Sequence, residues 1–277
     1  MRTIDDLAIK AHADRRFRSE YDYALFEYYR SAKVLAFMDA AGGRLHGRVL
    51  DAGCGGGGMP LSFAEEADEV VAIDLVPRYA EAGVRLARER GLTNLRFLQA
   101  DGTALPFPDR TFDVVLSHAV IEHVADAPRY LRECARVLRP GGQMYLSTAP
   151  YLSFAGAHLP RLRIPVPLHL LLGRRAAFGI FRQLARHAPW TLQEQAEQNS
   201  FIKLARQGSG KHDDLLEKVR IRRLRQQIAG AGFAVRDENL YLTKTFRRLP
   251  AARLLRDSAL TQDVVVGHVQ YLLQKPV

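Results

Sequence analysis

A glycine-rich loop after a short apolar segment constrains this chain more than any other part of its sequence. Residues 49–50 are apolar and lead to Asp51, and positions 52–58 contain five glycines before an apolar segment resumes at Met59. This order predicts a strand, a tight turn and the start of a helix. Glycine serves where the backbone takes a positive φ or touches a ligand. We therefore expect a ligand to lie against this loop, with Asp51 bonding a ligand amine or the loop amides.

The spacing within the loop excludes one common phosphate site and leaves a nucleotide site open. A Walker phosphate loop needs Gly-Lys followed by Ser or Thr, and none of these residues follows Gly58. The dinucleotide pattern Gly-x-Gly-x-x-Gly fits Gly53, Gly55 and Gly58, but a loop so rich in glycine matches it easily. The loop alone does not identify its ligand.

Polar residues follow the later apolar segments as well. Three of these segments, each typical of a buried strand, end in a polar residue: 70–73 before Asp74, 95–100 before Asp101, and 112–117 before His118. Asp74 lies where a carboxylate binds ribose hydroxyls in dinucleotide folds. Open parallel sheets bind ligands at the carboxyl ends of their strands, so these strand ends indicate one cofactor site.

Each strand-end carboxylate also has a purely structural interpretation. Asp51 or Asp74 could cap the helix that follows it, and Asp101 before Gly102 could belong to an ordinary turn. Taken singly, the structural and functional interpretations have about equal support. Taken together, carboxylates at three successive strand ends favour a cofactor site.

The motifs from 48 to 149 resemble those of the class I S-adenosylmethionine-dependent methyltransferases, and specifically the type 11 group that includes ubiquinone and menaquinone methylases. The matching segments, in order, are 49–57, 71–74, 99–107, 112–117 with 121–124, and 138–142. The resemblance implies an α/β fold: a Rossmann-like, seven-stranded, mostly parallel sheet with an antiparallel C-terminal edge. It also implies an N-terminal capping helix, and a helical lid insertion is expected after strand 5.

The same resemblance implies S-adenosyl-L-methionine as the cofactor and suggests which residues bind it. The loop 53–57 would lie under the methionine portion, Asp74 would take the ribose hydroxyls and Asp101 the adenine amino group. The complete set of candidate cofactor-binding residues is Tyr21, Arg30, Asp51, Gly53, Cys54, Gly55, Gly57, Asp74, Leu75, Asp101, Gly102, Ser117 and His118.

The chain divides into three predicted regions. They are an N-terminal cap region at 1–44, a Rossmann-like core at 45–150 and 213–277, and a lid or acceptor-binding insertion at 151–212. Apolar and aromatic residues at three- and four-residue spacing predict a helix over 15–41 in the cap region. Members of the family commonly close such a helix over the cofactor, which makes Tyr21, Tyr29 and Arg30 candidates for the edge of its site. The alternative is that the tyrosines pack the helix onto the sheet.

The insertion combines prolines, apolar residues and basic residues. An amphipathic helix is predicted over 176–187, with Phe178, Phe181 and Leu184 on one face. We interpret the insertion as a lid that shapes the acceptor pocket, because long segments after the fourth and fifth strands face the cofactor in this architecture. A helical subdomain with an ordinary core is the alternative. Peripheral membrane contact through 158–187 is less favoured, since buried segments also extend arginines to solvent.

Further helices and strands are predicted from periodicity and from glycine or proline positions. Helices are expected near 60–67, 78–90, 128–138 and 214–229, with a short one at 247–256. Strands are expected at 143–148, 233–242 and 263–273. The last two would form the antiparallel edge.

The chemistry of methyl transfer to oxygen calls for a general base near neutral pH, and histidine is the natural candidate. His118 and His123 follow the fourth strand and are the catalytic candidates, while His158 and His169 in the insertion are further candidate bases. Glu122 and His123 could equally be structural residues at a helix end. Quinone O-methylases can hold a metal with a Glu-x-x-Glu-His cluster here, but Ala119 replaces the first glutamate, so no metal is expected.

Composition and charge limit the classes of protein that this sequence can represent. The chain has 277 residues, two cysteines and a formal net charge of +10. No disulfide framework, secretory signal or membrane-spanning run is expected, which favours a cytoplasmic enzyme. Residues 117–120 lack the Asn-Pro-Pro-Tyr type of segment that grips planar nitrogens, so nucleic acid is not an expected partner despite the basic charge.

These observations support three functional hypotheses from different classes. The first is methyl transfer to a small molecule, with oxygen of a lipid, quinone, sugar or natural-product acceptor as the favoured target. The second is a non-catalytic or repurposed S-adenosylmethionine-binding protein, motivated by the lack of an obvious base. The third, with less support, is methylation of structured RNA, motivated by the excess of arginine. The sequence does not specify the acceptor, the methylated atom or the oligomeric state.

Overall fold

One twisted sheet organises the molecule. The computed structural model describes residues 4–16, 18–153, 159, 162–163, 166, 168–192, 218–243, 245–250 and 252–277. Within them, seven strands lie in the order β3-β2-β1-β4-β5-β7-β6. The strands are β1 Arg48–Ala52, β2 Glu69–Asp74, β3 Leu95–Gln99, β4 Phe112–His118, β5 Leu138–Thr148, β6 Ala234–Leu242 and β7 Val266–Gln274. Strands β1 to β5 pair in parallel, while β7 is antiparallel to both β5 and β6. The predicted fold class is therefore confirmed.

Helices cover both faces of this sheet. They are α1 Asp6–Ala13, α2 Glu20–Ala40, α3 Met59–Ala64, α4 Ala82–Glu89, α5 Ala127–Val137, α6 Leu168–Leu171, α7 Arg174–His187, α8 Ile221–Gly230, α9 Ala252–Asp257 and α10 Gln262–Val265. No described helix is long and apolar enough to cross a membrane.

The strand order creates a ligand crevice between β1 and β4. From β1 the chain proceeds to β2 and β3 on one side, and then returns to place β4 and β5 on the other. At such a switch point the loops that leave the two central strands diverge, and open α/β sheets bind their ligands there. The glycine loop leaves β1 at this point, and His118 ends β4 beside it.

The alternation of side chains along the strands decides which residues can reach α2. Leu116 and Tyr145 pack with Phe37 in the apolar layer under α2. Val115 and Leu146 belong to the opposite layer, under α5 and α8. Since successive strand residues point to opposite faces, the residues at the crevice that share parity with Leu116 and Tyr145 face α2.

The N-terminal region consists of two helices, whereas the sequence predicted one over 15–41. Helix α2 begins after Ser19, whose hydroxyl oxygen accepts a hydrogen bond of 3.0 Å from the Asp22 N–H. Helix α1 precedes it and packs against it, and the Lys33 ammonium lies 2.8 Å from the Asp6 carboxylate. The prediction missed α1 because its short stretch has few apolar residues at helical spacing.

The insertion has a small apolar cluster of its own. Helix α7 begins two residues before the predicted start, and Phe178 and Phe181 are buried on its inner face with Leu184 packed beside them. Leu159 and Leu192 complete this cluster. The predicted shared face of the helix is therefore confirmed, whereas the role of the insertion as a lid remains a prediction.

Two C-terminal boundaries differ from those predicted. The segment 247–256 contains a 3-10 turn at Phe246–Arg248 and helix α9 rather than one helix, because Pro250 has no N–H to continue a helix across it. The strand predicted from 263 begins at Val266, since the helical turn α10 comes first. The Asp263 carboxylate accepts a hydrogen bond of 2.8 Å from the Ile221 N–H and so links this turn to α8. The predicted start of α8 at 214 lies outside the described residues.

Candidate functional site

The glycine loop between β1 and α3 is packed so tightly that side chains would not fit. Gly53 has φ +111°, and a Cβ built on it would lie 2.3 Å from a methyl carbon of Val120. A Cβ on Gly58 would lie 2.0 Å from the Ala24 carbonyl oxygen of α2. Glycine at these positions lets the loop pass between α2 and the segment after β4.

Asp74 fixes the conformation of this loop. One of its carboxylate oxygens accepts a hydrogen bond of 2.8 Å from the Gly55 N–H, and the other accepts one of 2.9 Å from the Val76 N–H. Each carboxylate oxygen has two acceptor sites, so capacity remains for ligand hydroxyls. Asp74 is half-buried at the end of β2, which suits the predicted contact with ribose.

Asp51 and Glu27 add two buried carboxylates beside the loop. Asp51 is 3% and Glu27 is 7% exposed, and in the described part of the chain neither Asp51 Oδ2 nor Glu27 Oε2 has a hydrogen-bond partner. Cβ atoms built on Gly55 and Gly56 would lie 3.9 and 3.6 Å from Glu27 Oε2. Buried polar groups are almost always hydrogen-bonded, so this pair lacks a donor that a ligand would supply.

The ionisation of this pair is strongly perturbed. Burial raises the pKa of Glu27 to about 7, against the opposing effects of Arg30 and the Tyr23 hydroxyl. Burial also raises the pKa of Asp51 well above its ordinary value, and the charges of Glu27 and Asp74 add to this effect. Burial thus favours the neutral acids, and a cation placed beside them would favour their ionised forms.

Glu27 and Tyr23 were not among the predicted site residues. Glu27 lies in the buried stripe of α2, together with Ala24, Ser31 and Val34. A charged residue in such a stripe is a recognisable signal, because an unpaired buried charge is costly. Tyr23 lies closest to Gly56, with its ring 3.3 Å from a Cβ built there.

Arg30 and Tyr21, the predicted contacts from the same helix, lie in different surroundings. The Arg30 guanidinium lies 3.5 Å from Glu27 Oε1 and 5.0 Å from the centre of the Phe26 ring, and its buried Nε has no partner among the described residues. Tyr21 is turned toward α4, where its hydroxyl donates a hydrogen bond of 2.7 Å to Glu89. The structure therefore brings Arg30, but not the Tyr21 hydroxyl, to the buried carboxylates.

The predicted adenine end of the site lies after β2 and β3. Asp101 is exposed, and one of its carboxylate oxygens accepts hydrogen bonds of 2.8 Å from the Thr103 N–H and hydroxyl. A Cβ on Gly102 would lie 2.6 Å from the ring of Tyr130, so this position requires glycine. Leu75, another predicted contact, is 63% exposed beside Asp74, as expected of an apolar side chain that would pack against the adenine ring of a ligand.

Cys54 fills space in the loop. Its side chain packs with Ala72 and Tyr79, and burial raises the pKa of the thiol well above its ordinary value. A buried neutral thiol is a poor nucleophile. Only its backbone is placed to contact a ligand in the manner of the neighbouring glycines.

His118 lies in a polar cluster on the α2 face of the sheet. Its Nδ1 is 2.9 Å from the Ser147 hydroxyl and 3.2 Å from the Tyr145 hydroxyl. Its ring is parallel to that of Tyr145, with centroids 6.1 Å apart, and the His268 ring centroid is 5.9 Å away. The sequence did not indicate His268, because it comes from β7 and approaches His118 only through the sheet.

Both histidines of this cluster are neutral at pH 7. Burial, followed by the charge of Arg30, lowers the pKa of His118 well below its ordinary value. The same two causes lower the pKa of His268 to about 4. A neutral imidazole can accept a proton, which is the property required of a general base.

The other candidate residues at and after the end of β4 have different surroundings. Ser117 is fully buried on the opposite face of the sheet, and its hydroxyl oxygen accepts a hydrogen bond of 2.8 Å from the Tyr130 hydroxyl. Its side chain therefore does not reach the α2 face. His123 is exposed on the 3-10 turn Ile121–His123, while Glu122 is buried and accepts a hydrogen bond of 2.8 Å from Thr148.

Ala119 turns the chain sharply after His118. Its φ of +56° is uncommon for a residue with a Cβ, and such strain is often found beside functional sites. The turn directs Val120 against Gly53 and so closes the glycine loop from the β4 side. The described residues include no group of three or more His, Cys, Asp or Glu side chains placed to hold a metal.

The histidines predicted in the insertion are only partly described. His158 lies outside the described residues. His169 on α6 is half-buried, with Nε2 3.1 Å from the Leu152 carbonyl oxygen, and burial lowers its pKa. This contact connects the insertion to the segment that leaves β5.

Comparison with known proteins agrees with this geometry. Residues 50–146 match the family model described as a methyltransferase domain. The Bacillus subtilis protein named uncharacterized methyltransferase YcgJ is 34% identical over 151 residues, which cover 50% of this chain and 60% of that protein. These matches identify residues 50–146 as a methyltransferase domain of the type 11 group of class I S-adenosylmethionine-dependent methyltransferases.

Other members of this group show how far the similarity extends. A ubiquinone biosynthesis O-methyltransferase from Cereibacter sphaeroides is 41% identical over 101 residues, which cover 36% of this chain and 40% of the relative. Both matches span less than two thirds of the relative's own length. A crystal structure of an S-adenosylmethionine-dependent methyltransferase from Mesorhizobium loti has a TM-score of 0.55 at 19% identity, covering 86% of this chain and 96% of that chain, which shows a shared fold.

Proposed function

We propose that this protein transfers a methyl group from S-adenosylmethionine to an oxygen atom of a small, largely apolar acceptor. Lipids, quinones, sugars and natural products are the acceptor classes considered, with a quinone-type phenol the first to test. The observation that carries the proposal is the pair of buried carboxylates, Asp51 and Glu27, beside a glycine loop tied to Asp74; one oxygen of each has no hydrogen-bond partner among the described residues. The ubiquinone O-methyltransferase relative supports oxygen as the acceptor atom.

Bound S-adenosylmethionine supplies an electrophilic methyl group on a sulfonium. The reaction then requires an aligned acceptor oxygen that loses its proton, in an environment from which water is excluded. His118 meets the need for a proton acceptor, because its imidazole is neutral and its Nδ1 is oriented by Ser147. Nε2 of His118 has no hydrogen bond from the described residues, so it is available to accept that proton.

The surroundings of His118 fit an aromatic hydroxyl better than a charged acceptor. Tyr145 and Tyr241 add aromatic surface around His118 and His268. The one nearby cation, among the residues described, that acts on both imidazoles is Arg30, which would stabilise a developing phenolate. Phenols ionise more readily than alcohols, so they require less of a histidine whose lowered pKa makes it a weaker base.

The insertion supports an acceptor larger than the crevice itself. Its apolar cluster, built around Phe178 and Phe181, packs α7 independently of the sheet. We propose that it covers the acceptor as a lid, and that Arg30 with the loop residues 53–57 contacts the amino-acid end of the cofactor. Contact with a membrane through 158–187 stays outside this proposal, since no described contact points to it.

The proposal is tested by methyl transfer to defined acceptors. Purified protein is incubated with methyl-labelled S-adenosylmethionine and a panel of catechols, hydroquinones, isoprenoid phenols, sugars and small amines, and label in each product is measured. We expect label on phenolic oxygen and its loss in Asp74→Asn. Transfer to nitrogen or to RNA alone would contradict the oxygen assignment, and cofactor binding without transfer to any acceptor would favour the non-catalytic alternative.

A further inference from the structure

Glu27 belongs to α2, yet its carboxylate reaches the glycine loop after β1. Oε1 lies 3.5 Å from the Arg30 guanidinium, and Oε2 is buried without a partner among the described residues. Oε2 is also the nearest atom to a Cβ built on Gly55, at 3.9 Å. The open oxygen of Glu27 therefore borders the backbone on which a ligand would lie.

A second buried carboxylate, that of Asp51, lies beside the same loop. Asp51 is the last but one residue of β1 and lies on the sheet face that α2 covers, and its Oδ2 has no partner in the described part of the chain. The charge of Glu27 contributes to the raised pKa of Asp51, which places the two groups within mutual electrostatic reach. Buried polar groups are almost always hydrogen-bonded, and even the half-buried Asp74 has both carboxylate oxygens bonded to backbone N–H groups.

Charged groups from several elements surround Glu27. On α2 itself, Arg30 and the Tyr23 hydroxyl favour its ionised form. From the segment after β2, Arg78 also favours ionisation, whereas Asp74 at the end of β2 opposes it. Burial outweighs these charges and raises the pKa of Glu27 to about 7, so a cation that enters the pocket shifts the balance toward the carboxylate.

We propose that Glu27 and Asp51 together bind the ammonium group of the cofactor's amino-acid end, and that binding expels a proton held by this carboxylate pair. The inference rests on the proposed cofactor but not on any acceptor. It gives α2 a defined chemical role, because this helix packs on the glycine loop and contributes the second carboxylate. Affinity then depends on a protonation event near neutral pH.

Calorimetry with two ligands separates this role from general support of the loop. S-adenosylhomocysteine carries the ammonium group, whereas 5′-methylthioadenosine has the same nucleoside without the amino-acid end. We expect Glu27→Gln to weaken binding of S-adenosylhomocysteine at pH 8 by roughly 10- to 100-fold, the range for a charge-assisted hydrogen bond, and to leave 5′-methylthioadenosine within about twofold. Glu20→Gln, at an exposed position in the first turn of α2, is the matched control and should bind both ligands like the wild type.

The proton is counted by repeating the titration in two buffers with different ionisation enthalpies. The wild type should release a substantial fraction of a proton at pH 6.5 and less at pH 8, and its affinity for S-adenosylhomocysteine should rise roughly tenfold from pH 6 to pH 8. Both the proton release and the rise of affinity with pH should be smaller in Glu27→Gln. Thermal denaturation of each variant confirms that it is folded.

Each outcome decides the matter. Wild-type binding that Glu27→Gln leaves unchanged would overturn the inference while the proposed function stands. Equal loss of both ligands in that variant would also overturn it, because Glu27 would then only support the loop. Failure of the folded wild type to bind either ligand would overturn the proposed function together with the inference.

Discussion

His118 and Ser147 form a hydrogen-bonded pair across two neighbouring strands, with Nδ1 of the imidazole 2.9 Å from the serine hydroxyl. The register of β4 and β5 places these two residues directly opposite each other. A hydrogen bond at one ring nitrogen sets the orientation of the ring and so decides where the other nitrogen points. The strand pairing thus aims Nε2 of His118 before any substrate arrives.

His118→Gln should therefore remove catalysis without removing cofactor binding. Loss of a general base typically lowers turnover by about 10²- to 10⁴-fold, and glutamine keeps much of the volume of the side chain. The measurement is methyl transfer at saturating S-adenosylmethionine, paired with calorimetry of S-adenosylhomocysteine. A variant that keeps wild-type turnover would exclude His118 as the base.

The pH dependence of turnover supplies a separate check on His118. Its pKa is lowered well below the ordinary value of 6.5, so the imidazole stays neutral as pH falls through that value. With cofactor saturating, we expect turnover at pH 6 to stay within about twofold of that at pH 8. A steep loss centred near pH 6.5 would mean that the base titrates like an ordinary exposed histidine.

Asp74→Asn tests the carboxylate that holds the loop. An asparagine amide has one acceptor oxygen, so it cannot accept from both the Gly55 and Val76 amides and also receive ribose hydroxyls. Charge-assisted hydrogen bonds are worth roughly 1.5–3 kcal/mol each, so cofactor affinity should fall by one to a few powers of ten. Affinity unchanged in calorimetry would show that ribose is bound elsewhere.

Glu27→Gln should make the ligand-free protein more stable at pH 8. The folded-state pKa of Glu27 is about 7, above the ordinary value of 4.5, so ionisation costs stability that is lost progressively as pH rises from about 4.5 to about 7. Glutamine avoids this cost, which is of the order of 2–3 kcal/mol. Denaturant titrations at pH 5 and pH 8 should show a much larger difference in the free energy of unfolding between variant and wild type at pH 8, and an equal difference at both would point to a change in packing.

Substitution by alanine should destabilise the protein at Gly58 and stabilise it at Gly179. At Gly58 the new Cβ would lie 2.0 Å from the Ala24 carbonyl oxygen, so α2 must shift, at a cost of about 3 kcal/mol, and cofactor affinity should fall with it. At Gly179 in α7 nothing lies within 4 Å, and alanine should stabilise the helix by about 0.5–1 kcal/mol. Chemical denaturation of both variants makes the comparison, and a harmless Gly58→Ala would contradict the close packing of α2 on the loop.

Deleting residues 159–186 should separate cofactor binding from turnover. The glycine loop and its carboxylates come from α2, β1 and β2, outside the deleted segment, so S-adenosylhomocysteine should bind nearly as to the wild type. Methyl transfer should be lost, because acceptor and water would no longer be separated. Loss of cofactor binding in a still-folded deletion variant would refute the lid and make the insertion part of the cofactor site.

Local sequence patterns predicted the parts of the molecule that depend on consecutive residues. Asp51, the glycine loop and Asp74 belong to strand-turn-helix units, whose meaning lies in spacing along the chain, and the structure brings them together as expected. The seven-stranded, mostly parallel sheet with an antiparallel C-terminal edge followed from the family resemblance. Ser117 remains a predicted cofactor contact, and the two-residue alternation of β4 turns its side chain to the sheet face opposite α2.

Tertiary packing decided what the sequence did not indicate. Glu27 gains its importance only when α2 lies on the glycine loop, and His268 only when β7 enters the sheet beside β5. Neither belongs to a motif, and each is distant along the chain from the residues it accompanies. Tyr21 was predicted at the site and Tyr23 was not, because helical spacing alone does not fix the rotation of a helix to within one residue.

The apolar cluster of the insertion shares no residue with the two largest clusters that pack against the sheet. Substitutions in separate packing units act independently of one another. Drift around Phe178 and Phe181 therefore leaves the strand ends at the crevice unaltered. Proteins with this architecture can therefore accumulate substitutions in the insertion while the strand ends at the crevice stay under strict selection. In this way they can acquire new chemistry without losing the fold.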